Sequence, residues 1–269
     1  MVTSERVADL LRSVAAAEIM PRFRRLAHAD ISEKAPGDVV TIADTAAERE
    51  LTAGLRALLP DSVVVGEEAA AAEPGILDRL SGTAPVWVID PIDGTRNFAA
   101  GRTPFVSMVA LVMTGRTVGG WIFDPVATRT ASARAGEGAL LDRTTLRLAA
   151  REEPATAWRG RFNPGNSGAR RRRSEAIRAR IGSHDLLTSS GATYVEIARG
   201  ELDFAIFQNR LLRPWDHLPG ALLVTEAGGV ARAPGGQDYS AALAEGPLLV
   251  ARSETVWQEI AAIMNSFDT

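Results

Sequence analysis

There is no cysteine anywhere in this chain of 269 residues. That absence excludes disulfides, thiolate metal sites and a cysteine nucleophile. Lysine is almost missing as well: of 30 basic residues, Lys34 alone is a lysine. No apolar run approaches the roughly 20 residues that a membrane span needs. Glu5, Arg6, Asp9, Arg12 and Glu18 interrupt the N-terminal stretch, which argues against a signal peptide. A formal charge of −3 sets up no general field for nucleic acid. The basic run Arg170 to Arg173 follows a polar stretch and reads as a solvated loop or helix start. The expectation is a cytoplasmic protein that engages neither membrane nor nucleic acid.

What is present is the balance of a globular protein, with 46% hydrophobic and 23% charged residues. The length allows one large core or two closely packed lobes. Val7, Leu10, Leu11 and Val14 repeat at helical spacing after a cap at Ser4. A second helix is expected from Asp44 to Leu59, then a strand over Val63 to Val65 and a short helix around Gly75 to Leu80. The strand Val86 to Ile89 follows. Phe105 to Met113 and Thr117 to Phe123 read as a hairpin, and Arg129 to Ala133 continues a meander. The first half is thus expected to be an antiparallel sheet with helices on one face.

The polar, Gly- and Arg-rich stretch Arg151 to Arg173 marks a lobe boundary or insertion. The expected lobes are residues 1–150 and 151–269. In the second, Ser190 to Arg199 and Asp216 to Ala227 read as helices, with Pro219 tolerated in a first turn. Phe204 to Phe207 and Leu248 to Ala251 read as strands, and Ser253 caps a final helix to Phe267.

One segment carries the chemistry. Trp87-Val-Ile-Asp-Pro-Ile-Asp-Gly-Thr95 places Asp90 and Asp93 three residues apart at the end of an apolar run. Carboxylates crowded into such a turn repel one another and call for a compensating cation. Asp, Pro and Gly each favour turns for their own reasons, so the segment alone is equally an ordinary turn. Two further acidic motifs shift the balance. Gly66-Glu67-Glu68 follows the β-branched run Val63 to Val65, and Trp215-Asp216 opens an apolar stretch that runs to Gly228-Gly229. Each acid sits where an apolar element starts or ends, so all can converge at the rim of a layered α/β core.

Together these motifs resemble the inositol monophosphatase family of magnesium-dependent, lithium-sensitive phosphatases, over a span from about Lys34 to Gly229. The resemblance implies alternating helix and sheet layers in an α/β sandwich of the inositol monophosphatase and fructose bisphosphatase type. It also implies a phosphomonoester hydrolase acting on a small polyol or sugar phosphate with metal-activated water. By that likeness Glu67, Asp90 and the Ile92 carbonyl hold one magnesium ion, and Asp90, Asp93 and Asp216 hold a second. A third ion binds more loosely near Glu67. Thr95 would orient the water, Asp44 would take its proton through Thr95, and the Gly94 and Thr95 amides would seat the phosphate. Glu67 counts among the catalytic residues on the same ground. A homodimer is implied too. Glu68 reads as supporting or structural, and Glu226 as structural.

The chain departs from the family pattern where substrate is read. Inositol-selective relatives place a glutamate six residues before the tryptophan; here that position holds Asn209, followed by Arg210 and Arg213. Arginines there suit a second anionic group on the substrate. Arg96 replaces the second threonine of the usual D-G-T-T-N-F. Relatives also carry a lysine shortly before a D-x-V-T segment, matched here by Asp38 to Thr41, with Lys34 a residue closer than usual. A surviving surface lysine explains Lys34 equally well. The alternatives are a 3′,5′-bisphosphate nucleotidase or a histidinol phosphatase with the same mechanism, or an inactive metal- or phosphate-binding regulator. His28 and His184 are expected to be exposed.

Overall fold

Along the chain, helices and strands alternate in a way that buries both faces of the central strands. The computed structural model describes residues 3–149, 153–163, 168–208 and 211–266. Helix α1 (Ser4–Val14) is capped by Thr3, whose side chain accepts from the Arg6 amide, one residue before the expected cap at Ser4. A small antiparallel hairpin follows, β1 (Ile31–Ala35) and β2 (Asp38–Thr41), and leads into α2 (Ile42–Leu58). Thr41 caps α2 in a capping box with Asp44. Next come β3 (Val63–Gly66), the short α3 (Glu67–Ala72), a 3₁₀ turn over Pro74–Ser81, β4 (Val86–Asp93) and α4 (Thr95–Ala99).

The meander consists of β5 (Val106–Met113), β6 (Arg116–Asp124), β7 (Arg129–Arg134), β8 (Gly138–Leu141) and β9 (Thr144–Leu146). With β3 and β4 it forms a seven-stranded sheet in simple sequential order. The pairing of β3 with β4 is parallel and the rest antiparallel, so the sheet is mixed rather than purely antiparallel. Helices also cover both faces, not one. Trp87 and Ile89 pack with Leu11, Leu51 and Leu55 of α1 and α2. Val86 and Val88, on the opposite face, pack with Trp215 and Leu218. A strand buried on both faces reads as a continuous apolar run, so periodicity alone does not reveal the second layer.

The remaining elements are β10 (Arg159–Phe162), α5 (Gly168–Arg178), β11 (Ser183–Asp185), α6 (Ser190–Ala198), β12 (Phe204–Phe207), α7 (Pro214–Glu226), β13 (Val230–Arg232), β14 (Leu248–Ala251) and α8 (Glu254–Asn265). Five strands form a second sheet in the order β11-β10-β12-β14-β13. Helices α6 and α7 lie between the sheets, where Tyr194, Ile197 and Leu223 join Met108 and Ile122 of one sheet to Phe207 and Val250 of the other. Helices α5 and α8 cover the outer face through Ile177, Trp257 and Ile260. The layering is therefore α/β/α/β/α, the alternating sandwich expected.

Pro219 lies inside α7 rather than in its first turn, because the helix already begins at Pro214. A Cβ on Gly120 would meet the Pro219 carbonyl at 2.8 Å. The absence of that atom lets α7 lie against β6. Ser253 caps α8, as its spacing predicts. Arg170 to Arg173 start α5, with Arg173 buried. Among the described residues no helix is long and apolar enough to cross a membrane.

Candidate metal and phosphate site

A regular strand would send Asp90 and Asp93 to opposite faces, since side chains alternate. The ladder between β4 and β5 prevents that. Asp90 faces Met108 and Asp93 faces Val106, so three steps on β4 match two on β5. This bulge carries Pro91, which has no amide to give the ladder, and turns both carboxylates to one side. Asp216, in the first turn of α7, enters from the layer above. Asp90, Asp93 and Asp216 each offer an oxygen within 4.8 Å of the others.

This cluster is electrostatically uncomfortable. Burial raises the Asp90 pKa well above the carboxylate range, and the charges of Glu67, Asp93 and Asp216 raise it further. Asp216 is pushed up by burial and by Glu67 and Asp93, while its hydrogen bond with Asp90 and the charge of Arg213 pull the other way. Asp93 rises to about 6 through burial, opposed by hydrogen bonds from Ser189, Gly191 and Ser190. Asp90 Oδ1 is buried with no hydrogen-bond partner. An unsatisfied oxygen among buried acids fits a hard divalent cation, which takes oxygen ligands and offsets the repulsion. The donor set contains no sulfur and no imidazole, as magnesium prefers.

Beside the cluster, Thr95 Oγ lies 3.1 Å from Asp44 Oδ1 and 2.8 Å from the Ile92 carbonyl. Its single proton serves one of them at a time. Asp44 is almost wholly enclosed, and burial lifts its pKa to about 6 despite hydrogen bonds from the Thr41 hydroxyl and amide. A carboxyl tuned near neutrality suits proton transfer. Gly94 has φ +93°, and a Cβ there would meet the Pro104 carbonyl at 2.9 Å, so the turn requires glycine. The open cleft over these groups holds about 390 Å³ and is lined by Gly37, Asp93, Gly94, Thr95, Ser190 and Asp216, among others.

A model of the inositol monophosphatase family matches residues 4–266. An inositol-1-monophosphatase of Rhizobium meliloti is 32% identical over 213 residues, 77% of this chain and 76% of that protein. A Pseudomonas aeruginosa protein named Nus factor SuhB is 32% identical over 219 residues, covering 79% of this chain and 78% of its own. Among solved structures, a Thermotoga maritima IMPase superposes with a TM-score of 0.81 at 25% identity, over 97% of this chain and 96% of the other. The chain belongs to the inositol monophosphatase family. The Rhizobium meliloti relative, as an inositol-1-monophosphatase, is a phosphoric monoester hydrolase.

Two members of the expected ligand set stand differently in this inositol monophosphatase family chain. Ile92 supplies a carbonyl that already accepts from Thr95, with a second lone pair left over. Glu67 opens α3 outside the tight triad of aspartates and accepts from Lys34 Nζ at 2.6 Å. Lys34 also donates to Glu68 at 3.0 Å. Burial disfavours the ammonium, but Glu67 and Glu68 together raise the Lys34 pKa above its ordinary value. Glu33 faces Val39 and Ala35 faces Asp38, leaving Lys34 as the extra residue of a bulge that aims it inward.

Several neighbours carried no sequence signal of this role. Ser189 caps α6 and donates to Asp93 Oδ2 at 2.5 Å, while the Gly191 and Ser190 amides donate to Asp93 at 2.8 and 3.1 Å. Glu48 accepts from the Glu68 and Ala69 amides, both at 2.8 Å, and so fixes the start of α3. Helical periodicity marks Glu48 only as four residues after Asp44. Its partners lie across the fold.

Of the expected substrate contacts, Asn209 and Arg210 lie outside the described residues. Arg213 precedes α7 with its guanidinium 5.5 Å from the Trp215 ring centre. It lines a neighbouring cavity with Leu77, Leu211 and Ala241 rather than the acidic cleft. His217 is fully buried, bonds Tyr194 through Nδ1 at 3.0 Å, and is pushed down by burial to about 3. It is a neutral packing group. His28 is exposed as expected, but His184 is half-buried against Phe162, with ring centres 4.9 Å apart. Glu226 accepts from the Gly136 and Gly138 amides and holds the turn between β7 and β8.

Proposed function

We propose that this chain is a magnesium-dependent phosphatase of small phosphorylated metabolites, with Asp90, Asp93, Asp216, Glu67 and the Ile92 carbonyl as ligands for two ions and a looser third near Glu67. The observation that supports it is the aspartate triad, Asp90 and Asp93 buried and Asp216 half-buried, with its unpartnered Asp90 oxygen, next to the Asp44–Thr95 pair. Magnesium, when bound, neutralises phosphoryl charge and makes water a better nucleophile. The Thr95 hydroxyl orients the attacking water. Asp44 Oδ1 takes the proton passed through Thr95, and a pKa of about 6 keeps it largely ionised at neutral pH. The Gly94 and Thr95 amides hold phosphoryl oxygens, and the positive φ of Gly94 keeps that turn open to them.

Asn209 stands where inositol-selective relatives use a glutamate, with Arg210 and Arg213 after it, and we assign the three to substrate recognition. The charge of the two arginines favours a substrate with a second anionic group over a neutral polyol. A homodimer and lithium sensitivity complete the reading by family likeness, and division of the chain near residue 150 and a cytoplasmic location by composition.

The test is magnesium-dependent phosphate release from inositol 1-phosphate, adenosine 3′,5′-bisphosphate, histidinol phosphate, fructose 1,6-bisphosphate and glycerol 2-phosphate, with and without lithium. Preference for a substrate carrying a second charge supports the arginine assignment. Preference for inositol 1-phosphate overturns it. Failure on every ester while magnesium still binds turns the reading to a metal- or phosphate-binding regulator.

A further inference from the structure

We propose that Arg96 is a positioning residue that latches the β1–β2 hairpin over the acidic cleft and thereby sets where Lys34 stands. The hairpin forms a two-stranded sheet of its own, separate from both larger sheets. Both strands are largely exposed or half-buried, and only Thr41 at the far end is fully enclosed. A lone two-stranded ribbon holds itself poorly in water. Its position therefore depends on polar tethers rather than on a core.

Among the described residues, two side-chain tethers tie this hairpin to the rest of the molecule near its tip. One is Lys34, bonded to Glu67 and Glu68. It ends on the carboxylate assigned to the metal, so its strength depends on what else that carboxylate holds. The other is Arg96, on α4 immediately after Thr95. Its Nε donates to the Gly37 carbonyl at 3.0 Å, and its Nη2 donates to the same oxygen. This tether is independent of the acids. It joins the turn of the hairpin to the segment that presents Gly94 and Thr95.

The hairpin side of the latch is shaped for this contact. Gly37 has φ +78°, which a side chain rarely adopts, and a Cβ there would stand 2.9 Å from Arg96 Nη2. The Gly37 amide donates to the Glu33 carboxylate at 3.2 Å, which fixes the turn. Both Gly37 and Arg96 line the cleft, so the latch forms part of its wall. A threonine at position 96 is too short to reach across with two donors.

Arg96 is exposed, so its replacement leaves the core intact. Hydrogen–deuterium exchange over residues 31–41 is the direct test, on the full chain of wild type, Arg96→Thr and Arg96→Lys, each in EDTA and in magnesium. Arg96→Thr is expected to speed exchange in that segment about tenfold or more in both conditions, the scale of one lost charge-assisted hydrogen bond. Exchange in β4 and α7 should stay as in wild type, and Arg96→Lys, keeping one donor, should fall between. Unaltered exchange of residues 31–41 in Arg96→Thr overturns the latch. Kinetics give a second readout that rests on the phosphatase reading: KM should rise by about fivefold or more with a smaller fall in kcat, as for a group that positions rather than reacts. A wild-type protein inactive on every ester refutes the phosphatase reading, while exchange still decides the latch.

Discussion

Ser189 and Asp93 lie 96 residues apart in the chain and are joined by a 2.5 Å hydrogen bond, the Ser189 hydroxyl donating to the carboxylate. The same serine accepts the Ala192 amide as the cap of α6. A residue of the helix layer between the two sheets therefore fixes an acid at the end of β4, an interior strand of the seven-stranded sheet. Ser189→Ala should cost about 1–3 kcal/mol by urea denaturation, from a lost cap and a buried acceptor left with fewer donors. Magnesium affinity by calorimetry should fall too, and Ser189→Thr should restore much of both. Wild-type magnesium affinity in the alanine variant would show that Asp93 is held without Ser189.

Burial and the charges of Glu67, Asp93, Asp216 and Asp44 all push the Asp90 carboxyl toward its protonated form. Asp90→Asn should therefore make the metal-free protein more stable than wild type, an unusual result for a buried polar substitution. Saturating magnesium at about 100 times its Kd should stabilise wild type by about 2.7 kcal/mol and the variant far less. Denaturation in EDTA and in magnesium separates the two effects. Equal magnesium stabilisation of both proteins would remove Asp90 from the ligand set.

The pH dependence of the metal-free protein follows from the same acids. Asp44 and Asp93 titrate near 6 in the folded state, and Asp90 and Asp216 are also raised. Unfolded aspartates titrate near 3.9. Between these values the folded state holds more protons than the unfolded state, so stability falls as pH rises. In EDTA the urea midpoint should thus drop between about pH 4 and pH 6, and magnesium should lessen the drop. A midpoint that climbs over this window would contradict the gathered cluster.

Thr95 is the test of the proton path. Thr95→Ala should lower kcat by about 10²–10⁴-fold while calorimetry still detects magnesium binding, and Thr95→Ser should keep most of the activity. Activity of Thr95→Ala at the wild-type level would free Asp44 from any role through it.

Much of this protein follows from local pattern. The apolar runs specify β4, β12 and β14, Ser253 announces its helix, and the acids of the Trp87 to Thr95 segment with Trp215-Asp216 mark the site. These are legible because capping, periodicity and turn chemistry act over a few residues. The second helical layer on the sheet, the bulge that turns Asp90 and Asp93 to one side, and the donors on Asp93 are decided only by the tertiary structure. Each depends on an atom contributed from a distant segment: Met108 and Val106 opposite β4, Ser189 above Asp93, Gly37 opposite Arg96. Such pairings leave no period in the chain. Local sequence chose the acids, and long-range packing decided which way they point and what holds them.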